Sequence, residues 1–342
     1  MAVINLMLGS KRGGIEQAVL DYAQALQAAG IAALSIVPPN SWAAQQCAAR
    51  GLPHATLKQW GGWDRIAAWK LARQARAFGA RAIICHGNRA LSLALHTPRA
   101  FKKIAVAHNY KTRRFHQADA CFAITQHAAN ALAARGIARK NIFYMPNLAL
   151  TGTWHERPAF RTPPVIGSMG RFVKKKGFDL YLDALALLKQ RGVTFTALLG
   201  GTGEEEQALR AHCRQRNLDD RVTFTGWVDD KTAFFDRIDL FVLPSHHEPF
   251  GIVMAEAMAA GLPFVSTASE GPSEVIKHGE NGLLTPLADA AGLADALTRL
   301  LRDETLARKL GRQAYETIRT QYSLDAMARR LKGALPLILT GN

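Results

Sequence analysis

The sequence predicts an α/β protein with two doubly wound parallel-sheet domains, and three observations lead to this fold class. Short apolar runs rich in Val, Ile and Phe alternate with helix-period segments from end to end, which is the pattern of βαβ units. The 342 residues exceed what one hydrophobic core usually organises and suit two domains. A stretch with three prolines and no periodicity, residues 151–164, lies near the middle.

These observations divide the chain into four segments. Residues 1–150 are expected to form an N-terminal Rossmann-like domain, and residues 151–164 a linker. Residues 165–320 are expected to form a second Rossmann-like domain. The last segment, 321–342, is expected to be a helix that packs back toward the N-terminal domain.

The individual elements follow from local periodicity. Apolar runs of strand length in the first half predict strands at 3–8, 33–37, 82–85, 103–107, 120–124 and 141–145. The second half predicts strands at 165–168, 194–199, 222–225, 240–243 and 264–266. Helix-period segments between the first strands include 16–29 and 64–78.

Composition restricts the class of protein. The chain is 48% apolar and 20% charged, and it has no apolar run of the roughly 20 residues that a bilayer crossing needs. The N-terminal apolar run is too short for a signal peptide and reads as a strand, so we expect a cytoplasmic protein. The four cysteines are scattered without C-x-x-C spacing, which predicts free thiols and no metal site.

The positive charge is concentrated in the first half. Residues 1–150 hold 19 Lys and Arg against 4 Asp and Glu, whereas residues 151–342 hold 24 against 23. Such asymmetry favours an anionic partner, which could be nucleic acid, a phospholipid surface or a phosphorylated glycolipid. The sequence has no ribonucleoprotein motif, zinc-finger spacing or basic zipper, so we expect no nucleic-acid partner. A non-catalytic polyanion-binding protein remains the alternative from outside the enzymes.

Two segments of the second half carry candidate chemistry. In GRFVKKKGFD, Gly170 and Arg171 follow a strand and Lys176 precedes a helix, a combination of glycine and cations that suits a diphosphate. About seventy residues later, SHHEPFGIVMAEAM places Glu248 before a helix that begins near Ile252, with Glu256 about one turn inside it. Two carboxylates at a helix N-terminus can accept hydrogen bonds from sugar hydroxyls.

The segment EPFGIVMAE resembles the E-x7-E signature of retaining GT-B glycosyltransferases, particularly family 4 (group 1), and is similar to that of lipopolysaccharide-core glycosyltransferases. Four further segments resemble motifs of the same family and occur in the family's order: GRFVKKKG, GGTGEE, VTFTGWVDD and EGPSEVIKHGENGLL. Within the last, Glu270 and Pro272 stand where the family commonly has small residues. The resemblance implies two Rossmann-like domains facing each other across a cleft.

The resemblance also implies roles for individual residues. Glu256 would bind the nucleotide ribose and Glu248 the transferred sugar, while Arg171 and Lys176 would hold the diphosphate and stabilise the leaving group. The remaining donor-binding candidates are Gly13, Gly14, Gly170, Gly201, Trp227, Val228, Phe250, Gly251 and Ile252. Of these, Gly13 and Gly14 belong to GSKRGGIEQ, which resembles the family's G-G-x-E loop.

In the first half, His108 follows a predicted strand and resembles the family's N-domain histidine near the reaction centre, which makes it a catalytic candidate. His86 and Asn88 follow the preceding predicted strand, and the carboxyl ends of parallel strands are where such folds bind ligands. They are therefore candidates for acceptor binding.

A cationic cluster brackets His108 in the sequence, so we expect it to border the catalytic cleft and to attract a phosphorylated or acidic acceptor. It comprises Arg99, Lys102, Lys103, Lys111, Arg113 and Arg114.

The helix predicted at 64–78 has one apolar face and one face that mixes cations with aromatic residues. Ala67, Leu71 and Ala75 share the apolar face. The opposite face collects Arg65, Ile66, Trp69, Lys70, Arg73 and Arg76, and Trp60 and Trp63 come just before the helix. This mixture suits an anionic membrane interface, although a solvated helix with one partly packed tryptophan fits equally well.

The resemblance implies a retaining hexosyltransferase that uses a nucleotide-diphosphate sugar as co-substrate, and we expect it to be metal-independent and without a cofactor. No D-x-D sequence is present to hold a divalent ion, so cations and helix N-termini would stabilise the leaving diphosphate. UDP-sugar is the favoured donor, and the acceptor would be a glycan or glycolipid such as lipopolysaccharide core. A GDP-mannose-dependent mannosyltransferase of the same family is the alternative.

Overall fold

The computed structural model describes residues 1–10 and 13–340. The chain forms two compact units. Unit 1 contains Met1–Leu148 together with the residues from Tyr322 onward, and unit 2 contains Ala149–Gln321. Each unit is built on its own parallel sheet.

The sheet of unit 1 has seven parallel strands in the order β3-β2-β1-β4-β5-β6-β7. This order reverses direction between β1 and β4, which is the doubly wound pattern. The strands are β1 (Ala2–Leu6), β2 (Ala32–Val37), β3 (His54–Thr56), β4 (Ala82–His86), β5 (Lys102–Ala107), β6 (Ala120–Ala123) and β7 (Ile142–Tyr144). The connecting helices are α1 (Gly14–Ala28), α2 (Trp42–Ala49), α3 (Arg65–Ala77), α4 (Asn88–Ala94) and α5 (Gln126–Ala134).

The sheet of unit 2 has six parallel strands in the order β10-β9-β8-β11-β12-β13. The strands are β8 (Val165–Met169), β9 (Thr196–Gly200), β10 (Val222–Gly226), β11 (Leu240–Leu243), β12 (Phe264–Thr267) and β13 (Leu283–Thr285). The helices are α6 (Phe178–Gln190), α7 (Glu206–Gln215), α8 (Lys231–Phe235), α9 (Ile252–Ala259), α10 (Glu270–Val275), α11 (Ala290–Arg302) and α12 (Glu304–Gln321).

The last helix, α13 (Leu324–Thr340), belongs to unit 1 and packs on α1. Its inward face carries Met327, Leu331 and Leu335, all buried. These positions recur every four residues, the spacing that places side chains on one face of a helix. The side of unit 1 next to α1 is therefore covered by residues that follow unit 2 in the chain.

The predicted parallel α/β architecture is confirmed. The strands β1, β4, β5 and β8 lie within about two residues of their predicted bounds. Two strands were missed, β3 and β13, and each has only three residues. Segments this short carry too little alternation to be told from a loop.

The segment 151–164, expected to link the domains, packs against unit 2. Trp154 lies against Tyr315 with a ring-centroid distance of 4.9 Å. The guanidinium of Arg157 donates hydrogen bonds to the carbonyl oxygens of Phe235 (2.8 Å) and Ile238 (2.9 Å). The segment is thus fixed by its own side chains.

The four cysteines are buried and free. No helix in residues 1–10 and 13–340 is both long enough and apolar enough to cross a bilayer.

Candidate functional site

The loops that follow β8, β9 and β10 are joined by backbone hydrogen bonds at the carboxyl edge of the unit 2 sheet. The amide of Gly170 donates to the carbonyl oxygen of Gly200 at 2.9 Å, and the amide of Phe172 donates to the carbonyl oxygen of Thr202 at 2.9 Å. The amide of Gly201 in turn donates to the carbonyl of Gly226 at 2.6 Å. This is the edge where parallel α/β sheets bind ligands.

Glycine is required at two positions in these loops because backbones approach closely. A Cβ atom on Gly201 would lie 1.9 Å from the carbonyl oxygen of Gly170. A Cβ atom on Gly177, whose φ is +63°, would lie 2.1 Å from the carbonyl oxygen of Pro244. Gly177 therefore brings the Lys174–Lys176 turn against the loop that follows β11.

The ammonium group of Lys176 and the carboxylate of Glu248 form an ion pair at this contact. Glu248 is buried, and its side chain also lies 3.5 Å from the hydroxyl of Ser245. The neighbouring Lys175 contributes only backbone here, since its carbonyl accepts a hydrogen bond from the amide of His246 at 2.9 Å. Lys176 and Glu248 lie about seventy positions apart in the sequence, and both were predicted to belong to the donor site. The structure brings them into contact.

A second carboxylate, Glu270, orients the loop that carries Glu248. Its side chain accepts hydrogen bonds from the amide of Glu248 (3.1 Å) and from Nδ1 of His247 (2.6 Å). Burial by itself would raise the pKa of Glu270, but hydrogen bonds from its own amide, His247 and the amide of Glu248 lower it overall. Glu270 is therefore a charged acceptor that fixes the position of Glu248.

Helix α9 begins at Ile252, as the sequence predicts. Its N-cap is Gly251, which has φ +90° and supplies no capping side chain. The first amides of any helix lack intrahelical partners, so this end presents donors and a positive dipole. The side chain of Phe250 is buried, and a Cβ atom on Gly271 would lie 2.4 Å from its Cα atom. The start of α9 is therefore held by close backbone packing.

Glu256 lies one turn inside α9 and is paired with Lys231, a residue that the sequence analysis missed. The ammonium group of Lys231 is 2.5 Å and 2.7 Å from the two carboxylate oxygens. Burial raises the pKa of Glu256, and Lys231 partly offsets that effect. Lys231 is the first residue of α8, whose N-cap is Asp230, and nothing in the sequence around it indicates Glu256 as its partner.

The remaining donor candidates of unit 2 lie on the same loops. Trp227 follows β10, is 48% exposed and donates from Nε1 to Asp229 at 3.2 Å. Val228 packs at the end of β9, where a Cβ atom on Gly200 would lie 2.6 Å from it. Arg171 is exposed in the loop after β8. Unit 2 thus gathers an exposed aromatic ring, an arginine and two lysine–carboxylate pairs along one sheet edge.

In unit 1, the ends of β1, β4 and β5 bring together a chain of three buried polar side chains. Nε2 of His86 lies 2.7 Å from Oδ1 of Asn5, and Nδ1 of His86 lies 2.9 Å from Nε2 of His108. Burial lowers the pKa of His108 to about 4, and burial together with His108 lowers the pKa of His86. Both rings are therefore neutral at neutral pH.

The acceptor candidates of unit 1 have different surroundings. Both ring nitrogens of His86 are engaged inside the domain, whereas Asn88 donates from its amide to the carbonyl of Lys111. The side chains of Lys111, Arg113 and Arg114 are exposed on the segment that follows β5. They therefore lie at the end of the strand where His108 lies.

The cationic cluster as a whole does not bracket His108 in space, which corrects the expectation from sequence. Lys102 and Lys103 begin β5 and His108 follows its last residue, so the length of the strand, about 3.3 Å per residue, separates them. Lys103 is buried, and its ammonium group donates to the carbonyl of Pro98 at 2.6 Å. Lys102 is paired with Asp119 at 3.3 Å. Sequence proximity misled here because a strand carries its two ends to opposite edges.

The glycine-rich loop before α1 is only partly described. Lys11 and Arg12 of the motif lie outside the described residues. Gly13 is the N-cap of α1 in an extended conformation without a capping side chain, and Gly14 is the first residue of the helix. In residues 1–10 and 13–340, no three His, Cys, Asp or Glu side chains are grouped so that they could hold a metal ion.

Two family models together match nearly the whole chain. The model described as "Glycosyl transferases group 1" matches residues 152–317, which include the unit 2 loops. The model described as "Glycosyltransferase Family 4" matches residues 12–148, which include His86 and His108.

Curated relatives match over part of their length. The lipopolysaccharide core biosynthesis glycosyltransferase LpsE of Rhizobium meliloti is 41% identical over 175 residues, 50% of this chain and 50% of LpsE. LpsD of the same organism is 39% identical over 163 residues, 48% of this chain and 46% of LpsD. The matches thus span about half the length of each relative.

The fold is similar to solved structures over nearly the full chain, among them a glycosyltransferase of Rickettsia africae with a TM-score of 0.85 at 15% identity, covering 100% of this chain and 99% of that protein. HepE of Anabaena, crystallised in complex with UDP, gives a TM-score of 0.83 at 19% identity, covering 98% of this chain and 100% of HepE. At this identity the similarity concerns the fold. With both halves matched by models of one family and the fold shared throughout, the chain belongs to the group 1, family 4 glycosyltransferases, and its two Rossmann-like units are the domains of a GT-B protein.

Proposed function

We propose that the protein is a retaining glycosyltransferase that takes a hexose from a nucleotide-diphosphate sugar bound at the carboxyl edge of the unit 2 sheet. The observation that carries the proposal is the pairing of Lys176 with Glu248 beside the N-terminus of α9. This arrangement offers a cation and helix amides for phosphate oxygens, next to a carboxylate that can accept hydrogen bonds from sugar hydroxyls. Glu256, one turn further, would accept hydrogen bonds from the ribose.

In the proposed reaction, the bond between the anomeric carbon and the diphosphate oxygen breaks. The oxygen of an acceptor hydroxyl forms the new glycosidic bond on the same face of the sugar, and its proton passes to the departing phosphate. The chain would stabilise the negative charge on the leaving group with Arg171, Lys176 and the amides of Gly251 and Ile252. These groups support transfer without a divalent ion. A catalytic role for His108 is proposed on the family resemblance.

UDP-sugar is the favoured donor, supported by the UDP that the similar HepE binds. The similarity to LpsE and LpsD supports a lipopolysaccharide-core acceptor or another anionic cell-envelope glycoconjugate. Unit 1 holds 22 Lys and Arg against 5 Asp and Glu, a charge that would attract such an acceptor. We therefore propose a cytoplasmic enzyme in peripheral contact with an anionic membrane. A GDP-mannose-dependent mannosyltransferase remains the second candidate.

Calorimetric titration of UDP, GDP and ADP in EDTA tests the donor site. We expect one nucleotide to bind with micromolar affinity, and we expect Arg171→Ala and Glu256→Ala each to weaken binding about tenfold or more, the cost of losing a charged hydrogen bond. Arg302→Ala, which removes an exposed arginine at the end of α11, is the matched control and should bind as the wild type does.

Two results would contradict the donor site. One is binding that requires a divalent ion, and the other is equal loss in Arg302→Ala. If no nucleotide bound and the protein instead bound DNA or RNA in a salt-sensitive manner, the non-catalytic polyanion-binding function would replace the proposal.

A further inference from the structure

We propose that one face of unit 1 docks on an anionic phospholipid membrane. The face consists of Trp60, Trp63, Ile66 and Trp69, which we call the tryptophan face. These side chains are 77%, 72%, 70% and 59% exposed. Four of the nine large hydrophobic side chains exposed in the described part of the chain thus fall within ten positions. Such concentration marks an interaction surface, because scattered exposed apolar residues are ordinary whereas grouped ones are not.

The tryptophan face points away from the domain core because the apolar face of α3 is on the other side of the helix. Helix α3 buries Ala67, Leu71 and Ala75 against the domain, so Ile66 and Trp69 lie on the opposite side. This agrees with the helical wheel of the sequence, and the side chains of all three tryptophans are more than half exposed.

The turn that carries Trp60 and Trp63 is held in place although its rings are exposed. The buried carboxylate of Asp64 accepts hydrogen bonds from the amides of Trp60 (3.1 Å) and Ala67 (2.9 Å). The bond from Ala67 caps α3, and the bond from Trp60 closes the turn that precedes it. A Cβ atom on Gly62 would lie 2.6 Å from Ser92 of α4, so the turn also packs closely on that helix. The rings are therefore presented on a fixed backbone, which lowers the entropy lost on binding.

The charges around the tryptophan face select the partner. The exposed cations of this segment are Lys58, Arg65, Lys70, Arg73 and Arg76. Its one acidic residue between positions 58 and 78 is the buried Asp64. Lys58 lies 5.8 Å from the ring centre of Trp60, and Arg73 lies 5.9 Å from that of Trp69.

Amphipathic indole rings bordered by cations match the interface of an anionic bilayer, where the rings sit at headgroup depth and the cations meet lipid phosphates. A second copy of the chain is a poor occupant, because a two-fold contact through this face would bring the same cations together. The tryptophan face is where the membrane contact of the proposed function would occur, and its role in the cell rests on that proposed function. The surface itself can be tested without any assay of transfer.

Cosedimentation with vesicles of phosphatidylcholine alone or with phosphatidylglycerol tests the surface. We expect the wild type to bind the anionic vesicles, with binding that falls as salt is raised. The triple variant W60A/W63A/W69A should bind at least tenfold more weakly, and K70Q/R73Q about 25-fold more weakly, since each of the two cations near the surface contributes about fivefold. The pair R139Q/K140Q, exposed cations elsewhere in unit 1, is the matched control and should bind nearly as the wild type does.

Nucleotide titration of the same variants separates the two proposals. All should bind nucleotide as the wild type does, because every substitution lies in unit 1 outside the unit 2 loops. Equal vesicle binding by W60A/W63A/W69A and the wild type would overturn the surface while leaving the donor site intact. Absence of wild-type binding to anionic vesicles would overturn it too, as would a wild-type dimer that the triple variant abolishes.

We infer, independently, that Asn5 and His86 fix the tautomer of His108 and leave its Nδ1 atom as a hydrogen-bond acceptor. The starting point is the side-chain amide of Asn5, whose Nδ2 atom donates to the carbonyl of Val19 at 2.9 Å and lies 3.1 Å from the hydroxyl of Ser35. A carbonyl can only accept, so the atom of Asn5 facing His86 must be the amide oxygen.

The proton positions then follow in sequence. Because the Asn5 oxygen only accepts, Nε2 of His86 carries a proton. In a neutral ring, Nδ1 of His86 is then unprotonated. An unprotonated Nδ1 accepts, so Nε2 of His108 must donate across the 2.9 Å contact. The neutral ring of His108 consequently has an unprotonated Nδ1. Asn5 and His86 are positioning residues in this arrangement.

The inferred tautomer specifies what His108 can recognise, and its use in transfer rests on the proposed function. An unprotonated Nδ1 accepts a hydrogen bond from a sugar hydroxyl but cannot donate one to a phosphate or a carbonyl. His108 is thereby set to discriminate in favour of hydroxyl groups, and its ring is stacked on His86 at a centroid distance of 5.1 Å.

Nitrogen NMR of protein labelled with ¹⁵N-histidine tests the tautomer directly. We expect both His86 and His108 to carry their proton on Nε2 at pH 7, with a coupling across the hydrogen bond between Nε2 of His108 and Nδ1 of His86. Spectra of His86→Phe and His108→Phe assign the signals. A proton on Nδ1 of His108, or a charged ring at pH 7, would overturn the inference even if donor binding is normal.

The kinetic arm uses His86→Phe, which keeps an aromatic ring but removes the acceptor for His108. We expect kcat to fall about tenfold, the value of one hydrogen bond, with the KM for the donor nearly unchanged. An unchanged kcat would show that positioning by His86 does not serve transfer. The variant's thermal unfolding should be recorded beside its kinetics, because a drop in kcat shared with global unfolding would count against positioning.

Discussion

Replacing Lys176 by methionine is expected to lower kcat/KM by about 10²- to 10³-fold, the usual cost of removing one preorganised group that stabilises a developing negative charge. The ammonium group of Lys176 is held by Glu248 in the loop closed by Gly177, so its position is set before the donor binds. Steady-state kinetics with a UDP-sugar and a lipopolysaccharide-core acceptor measure the effect. Lys175→Met is the matched control, because that exposed residue contributes its carbonyl to the loop.

The same substitution also leaves Glu248 buried without its cation, so the free energy of unfolding should fall by about 1–3 kcal/mol. The double variant K176M/E248Q removes the unpaired charge and should recover most of that stability without recovering activity. Recovery of activity in the double variant would contradict a direct role for Lys176 at the phosphates. So would an equal loss of kcat/KM in Lys175→Met.

Gly177→Ala should damage both stability and donor binding. Its φ of +63° costs a residue with a Cβ atom about 1–2 kcal/mol. The clash of the new Cβ atom with the carbonyl of Pro244 should add about 1–3 kcal/mol, because backbone must move to relieve it. Since the movement displaces Lys176 from Glu248, nucleotide affinity should fall together with stability. Urea unfolding and calorimetry measure the two effects.

Gly192→Ala isolates the contribution of the contact. Gly192 follows α6 with φ +71°, nearly the same backbone conformation, and a Cβ atom there would meet nothing within 4 Å. This control should lose only the conformational part of the stability and none of the nucleotide affinity. Equal effects of the two substitutions would show that the contact between the Gly177 turn and the loop after β11 is unimportant.

Periodicity and motif spacing were sufficient to predict the parallel architecture and the approximate position of most strands. They also predicted that α9 begins at Ile252, because Pro249 and Gly251 mark a turn before a helix-period segment. They could not predict the pairs Lys176–Glu248 and Lys231–Glu256. Those contacts depend on how loops from different strands are joined, and sequence spacing carries no information about that.

The role of Glu270 shows the same limit from another side. In the sequence it is a departure from the family pattern, whereas in the structure it accepts hydrogen bonds that position Glu248 and His247. The cations around His108 were misjudged for a related reason, since the direction of β5 separates Lys103 from Lys111. For α3 the helical wheel correctly predicted the buried face. The buried face of a surface helix follows from the spacing of its own apolar residues.

Because α13 follows unit 2 in the chain and packs on α1, unit 1 can complete its fold only after unit 2 has been synthesised. Unit 2 is one uninterrupted stretch, Ala149–Gln321, and all of it can emerge from the ribosome and fold without waiting for later residues. Unit 1 starts first but finishes last, because the apolar surface of α1 that α13 covers stays open until Leu324–Thr340 has been synthesised. Throughout synthesis of unit 2, the nascent N-terminal domain therefore exposes a patch that a chaperone could shield and that a prematurely terminated chain could never close.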